Sequence, residues 1–116
     1  MSAVKFSLSR QAEHDIREIE DYSAHRGSDK KAADYVRGLF AAFEKLAQRP
    51  GIGRARPDIP PPYLVYTVGS HLIIYRYNPK LECVEILNVL HPAMDIEKRL
   101  SEAIKEVHKG DADGTR

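Results

Sequence analysis

A single cysteine, Cys83, among 116 residues excludes an internal disulfide, and it leaves no second thiol for a zinc site of the Cys₂His₂ or Cys₄ kind. Such sparse cysteine use points to a reducing compartment. An excess of one charge is missing too. Eighteen Lys and Arg against 17 Asp and Glu leave a formal charge of +1, so no global basic field draws the chain to nucleic acid. No stretch approaches the roughly 18 uninterrupted apolar residues of a membrane span, and the first residues show no long apolar leader core. We therefore expect a soluble cytoplasmic protein that does not engage membranes. What the chain does have is 42% apolar residues, enough at this length for one domain that buries roughly two thirds of its unfolded surface.

The alternation of Val4, Phe6 and Leu8 with polar neighbours predicts a short strand over 4–8. Ser9 offers a cap for a first helix, in which Ala12, Ile16, Ile19 and Tyr22 form one apolar stripe, ending near Gly27 with a left-handed cap. Glu13, Asp15, Glu18, Glu20 and Asp21 would then make its solvated face net acidic. Ser28 and Asp29 start a second helix, whose Ala32, Val36, Leu39, Phe43 and Leu46 give the widest apolar face in the chain. The short link predicts an antiparallel helical hairpin. Pro50 and Gly51 stop it. Five of the seven prolines fall between 50 and 62, which predicts a long, stiffened surface connection.

Tyr63–Val68, His71–Tyr77 and Cys83–Leu90 are rich in aromatic and branched residues and are separated by turn signals, so we expect a three-strand antiparallel meander. The run Ile86–Leu90 is apolar on both faces apart from Asn88, which places that strand centrally. Asp95 can cap a final helix through Ile96, Leu100 and Ile104. That helix or a partner chain must cover the second sheet face. The fold class is therefore α+β: an N-terminal strand, a helical hairpin, a meander forming one sheet, and a C-terminal helix. One domain is expected over residues 1–108, followed by a disordered Gly/Asp-rich tail at 109–116.

The five histidines are scattered without paired i, i+4 spacing, so no metal site and no cofactor is expected. His91 ends its strand before Pro92, either as a positioned acid or base or as a polar strand end. His71 opens a strand after a Gly-Ser turn. Cys83, between Glu82 and Glu85, lacks the electropositive surroundings of a reactive thiol. The basic feature is local. Residues 49–80 carry Arg49, Arg54, Arg56, Arg76 and Lys80 against Asp58, interleaved with Tyr63, Tyr66, Tyr75 and Tyr77. Guanidinium and phenol together suit a phosphate backbone, an unstacked base or an acidic peptide. Strand aromatics and loop charges alone would give the same pattern.

The ordered residues Leu8-Ser9, Ala12, Asp15-Ile16, Ile19, Tyr22, Ala32-x-x-Tyr35, Leu39, Phe43, Leu46-Ala47 and Pro50-x-x-Gly53-Arg54-x-Arg56 resemble the ParE-like toxins of the RelE/ParE superfamily. These were once described as plasmid stabilisation proteins. The resemblance continues through Val68-Gly69-x-His71, Ile74-Tyr75-Arg76-Tyr77 and Ile86-x-x-Val89-Leu90-His91-x-x-Met94-Asp95. It implies a toxin of a type II toxin–antitoxin system, neutralised by a ParD-like antitoxin that lays helix or strand onto its grooves. It also implies inhibition of DNA gyrase, with no sequence-specific DNA binding by the toxin alone. Leu64 stands where the family commonly carries an Arg.

On this resemblance the first reading is a non-catalytic inhibitor. Its candidate target or antitoxin contacts are Arg54, Arg56, His71, Tyr75, Arg76, His91 and Asp95 with the helix that follows. The alternative is a RelE-like ribosome-dependent mRNA endonuclease. That activity needs clustered cations for phosphate charge and a group to move the 2′-hydroxyl proton, roles open to Arg54, Arg76, Tyr75 and His91. A third possibility is a re-targeted or inactive toxin that keeps only antitoxin binding.

Overall fold

A computed structural model describes residues 5–92 and 96–114, with side chains through Val107. The elements run β1 (Phe6–Leu8), α1 (Arg10–Arg26), α2 (Asp29–Gln48), β2 (Leu64–Val68), β3 (His71–Asn78), β4 (Cys83–Leu90) and α3 (Ile96–Gly114). Val4 and Asp95, expected to open the first strand and to cap the last helix, lie outside the described residues. Among those described, no helix is long and apolar enough to cross a membrane.

Both hairpin helices start as the sequence predicts. The hydroxyls of Ser9 and Ser28 accept the amides of Ala12 and Lys31, satisfying donors that a helix start leaves free. Gly27 ends α1 at φ −139°, not in the expected left-handed region, with its amide on the Ser23 carbonyl at 2.9 Å. Tyr22, expected on the buried stripe, is 58% exposed; it lies toward the end of α1 with the Arg26 guanidinium over its ring. Beyond Gln48 the chain makes one three-residue 3₁₀ turn, Pro50–Ile52, which the sequence reading did not anticipate; proline is tolerated at such a start. The connection that follows is only partly surface, since Ile59 and Tyr63 are buried.

The sheet has four strands in the order β1-β4-β3-β2. The meander forms as expected and β4 is internal, but β1 joins it as a fourth strand, parallel to β4, pairing Phe6 with Val84 and Leu8 with Ile86. The β2–β3 link is a tight turn in which Gly69 takes φ +55°, a conformation that favours glycine. A register shift at Ile74/Tyr75 leaves Leu87 without a partner in β3.

Two cores flank this sheet. On one face, Ala12, Ile16 and Ile19 of α1 and Leu39, Phe43 and Leu46 of α2 pack on Ile73, Tyr75, Val84, Ile86 and Val89. On the other, Ile96, Leu100 and Ala103 of α3 close over Val65, Leu72, Ile74, Leu87 and Leu90, together with Ile59 and Tyr63 from the proline-rich connection. The cover for the second face is thus supplied in cis. The backbone of α3 stays helical to Gly114 and so runs through most of the stretch expected as a tail, in line with the low cost of extending an existing helix.

Candidate functional site

Tyr75 alternates onto the hairpin side of β3 and is fully buried. Its hydroxyl donates to the Pro50 carbonyl at 2.7 Å and accepts the Gly53 amide at 2.9 Å, so the phenol fastens the turn after α2 to the sheet. Burial pushes its pKa above the usual value of 10.0, which keeps it a donor. Gly53 is required at this contact, because a Cβ there would lie 2.4 Å from the Tyr75 oxygen. Leu64, where the resemblance led us to expect an Arg, is paired with Tyr75 and packs half-buried against the same core.

Arg76 points to the opposite face. Its Nε donates to Glu85 Oε1 at 2.7 Å across the β3–β4 pair, and Asn78 donates to the other carboxylate oxygen at 3.2 Å. Beside it a cavity of about 170 Å³ is lined by Ser7, Ser9, Tyr63, Arg76, Glu85 and Val107, among others. Arg56 grips Asp58 through Nε at 3.0 Å and Nη2 at 2.8 Å. Arg54 is exposed, while its backbone exchanges two 2.8 Å hydrogen bonds with Val65 and so occupies part of the β2 edge. A wider groove of about 490 Å³ runs between Pro57, Asp58 and Pro60 on one side and Glu97, Leu100, Ser101, Ile104 and Lys105 of α3 on the other.

His71 and His91 meet at the far end of the sheet. Leu72 pairs with Leu90, which brings the two imidazoles edge to face at 5.5 Å between centroids. The Tyr35 hydroxyl of α2 lies 2.6 Å from His71 Nδ1 and accepts the Ser70 amide at 3.2 Å. Burial first, and the neighbouring His91 second, lower the His71 pKa from 6.5. His91 itself is exposed.

Arg54, Arg76, Tyr75 and His91 are therefore not gathered on one surface. Tyr75 is in the hairpin core, Arg76 is on the α3 side, and His91 is at the strand end past Leu90. Asp95 lies outside the described residues.

Sequence reasoning missed the acid that matters most. Asp15, expected on the solvated face of α1, is 4% exposed. Its Oδ2 accepts the Val89 amide at 2.9 Å and Asn88 Nδ2 at 3.2 Å, and its Oδ1 accepts Gln11 Nε2 at 2.9 Å. Desolvation raises its pKa above 3.8 in spite of these donors. The signal was present: Asp15 is three residues from Ala12 and four from Ile19, on the edge of the apolar stripe, and Asn88 is the lone polar residue in Ile86–Leu90. Asn88 Oδ1 remains buried without a partner.

Comparison with known proteins adds to this geometry. The family model described as ParE toxin of type II toxin-antitoxin system, parDE, matches residues 6–96, so nearly all of α3 lies beyond it. Toxin ParE1 of Caulobacter vibrioides is 37% identical over 95 residues, covering 82% of this chain and 96% of that protein. Toxin ParE1 of Mycobacterium tuberculosis is 33% identical over 96 residues, covering 83% and 97%. A solved structure titled "Chromosomal ParDE TA system from P. aeruginosa" superposes with a TM-score of 0.63 at 22% identity, covering 77% of this chain and 98% of the other, a likeness of fold.

Proposed function

Because the chain belongs to the ParE toxin family of type II toxin–antitoxin systems, we propose that it is neutralised by a ParD-like antitoxin and acts in the cytoplasm by inhibiting DNA gyrase. The observation that carries this reading is the family match from β1 to the first residue of α3, together with 37% and 33% identity to two proteins named Toxin ParE1. We take the working unit to be one domain, organised by two cores that share one sheet.

The proposed mode of action is binding. What supports it is the dispersal of the side chains a ribonuclease would recruit: proton transfer and phosphate stabilisation need groups within hydrogen-bond reach of one reacting centre. Tyr75 is committed to Pro50 and Gly53, and Arg76 to Glu85. The contacts we assign to protein partners are the exposed Arg54 and His91 and the partly exposed guanidiniums of Arg56 and Arg76. His71 and Tyr75 hold the framework under them.

The test adds the purified toxin, free of antitoxin, to a gyrase supercoiling reaction and separately to translating ribosomes with a reporter message. Loss of supercoiling with intact message is expected, and a ParD-like antitoxin should restore it. Cut message with normal supercoiling would move the chain to the ribonuclease reading, and silence in both would mark a re-targeted or inactive toxin.

A further inference from the structure

The outward side of α3 carries Glu97, Ser101 and Lys105 at four-residue steps, which puts the three on one ridge of the helix. Ser101 is the midpoint. Glu97 and Lys105 lie about 6 Å along the axis to either side of it, one acidic and the other basic. Both are exposed, and neither has an ion-pair partner among the described residues, although Arg37, Arg56 and Arg76 each have one. The same three residues line the wider groove, with Leu100 and the half-buried Ile104 as its apolar floor. Pro57 and Pro60 form the far wall, which proline keeps stiff, and Asp58 there is already neutralised by Arg56.

We propose that this groove is an interface between two copies of the chain, with α3 of one seated antiparallel on α3 of the other about a two-fold axis at Ser101. The charges argue for a second copy. In a two-fold contact each residue meets its symmetry-related position, so a ridge pairs with itself only when opposite charges stand at equal distances from its centre. Glu97 then meets the partner's Lys105, and Lys105 meets the partner's Glu97. Ser101, small and uncharged, lets the two backbones approach where they cross.

The same charges select the register. A one-residue slip toward the C-terminus would set Glu97 against the partner's Glu106 and Lys98 against the partner's Lys105, both repulsive. A slip the other way leaves Glu97 facing the partner's Ile104. The formal charge of +1 lets two copies meet without long-range repulsion. Nearly all of α3 lies past the family match at residues 6–96, so the surface is this chain's own. It is also on the far side of the sheet from the helical hairpin, which stays open in the pair. One helix pair with its rims is a small contact, so the association is transient, weaker than about 1 μM, and ridge variants change it without changing the melting of the single chain.

Sedimentation equilibrium on the full chain, purified free of antitoxin, over about 5–500 μM covers that class of affinity. The weight-average mass should climb from the 13.1 kDa of one chain toward twice that value. Glu97→Lys and Lys105→Glu, both at exposed positions, should each stay monomeric, because every charge pair becomes like-signed. An equimolar mixture of the two variants should dimerise, as should the double variant Glu97→Lys/Lys105→Glu, because opposite charges face each other again. A mass fixed at one chain across the range overturns the interface, and if Lys105→Glu then weakens antitoxin binding, the groove belongs to that partner. Self-association that survives both single variants, or that the mixture fails to restore, overturns it too.

Discussion

The Asp15 carboxylate accepts the Val89 amide at 2.9 Å on the side of β4 that β1 covers only as far as Ile86. β1 turns into α1 after Leu8, with its last sheet bond from the Ser9 amide to the Ile86 carbonyl at 3.0 Å. Beyond that point α1 continues the pairing with side chains. The Ser9 hydroxyl donates to the Leu87 carbonyl at 2.7 Å, opposite the register shift, and Asp15 takes Val89. Buried backbone groups need partners, and here a helix supplies them to a strand.

Asp15→Ala leaves the buried Val89 amide and Asn88 Nδ2 without their acceptor, and we expect a loss of about 2–3 kcal/mol in urea denaturation at neutral pH. Asp15→Asn tests the ionisation. Between the ordinary carboxylate value of 3.8 and the raised value, the folded chain holds more protons than the unfolded one, so this group's contribution to stability falls as pH rises through that window. The difference between wild type and Asp15→Asn, measured across pH 3–7, should carry that slope. A difference independent of pH would refute the raised pKa.

For Tyr75→Phe we expect a loss of about 1–2 kcal/mol, because the Gly53 amide and the Pro50 carbonyl both lose their partner. Gly53→Ala should cost at least as much, since its Cβ meets the ring as well as the hydroxyl. Chemical denaturation of the two single variants and the double variant closes the cycle. The coupling should be non-additive, as for any pair in direct contact.

His71 should titrate below 6.5 when followed by proton NMR. Its folded value is depressed, so it contributes stability above pH 6.5 that is lost as pH falls through the lowered value. His91→Ala removes the like charge beside it and should raise the His71 midpoint, though not fully to 6.5, because burial is the larger cause. A midpoint unmoved by His91→Ala would show that the two rings do not interact.

Removing residues 96–116 should abolish cooperative unfolding and expose dye-binding surface, because Ile96, Leu100 and Ala103 leave the second core open. Leu100→Ala should cost about 2–4 kcal/mol. Arg99→Glu and Lys105→Glu on the exposed side of α3 should leave the Tm in place, and they are the variants with which to ask whether α3 contacts a partner. A truncated chain that still melts cooperatively would make α3 an ornament of the fold.

Most of the architecture was legible because it rests on local patterns. The stripes of α1 and α2, the serine caps, the Gly69-Ser70 turn and the apolar run of β4 each announce themselves within a few residues. The parallel pairing of Phe6 with Val84 was not legible, since nothing local specifies a partner so far along the chain. The candidate site was read less well for a related reason. Tyr75 and Arg76 are neighbours in sequence, and a strand sends neighbours to opposite faces, so a cluster of interesting residue types became two separate contacts. Asp15 was misplaced because its charge was weighed before its position on the helix.

The pairing of β1 with β4 also sets a schedule. About eighty residues separate Leu8 from Leu90, which at roughly 5–20 residues per second is roughly 4–16 s of ribosome time. During that interval the α1–α2 hairpin can form from its own contacts, while β1 waits for the strand it must join. α3 emerges later still, leaving the other side of the sheet uncovered until Ile96, Leu100 and Ala103 have appeared. Birth order thus makes the sheet, and then its second cover, late steps in the making of this fold.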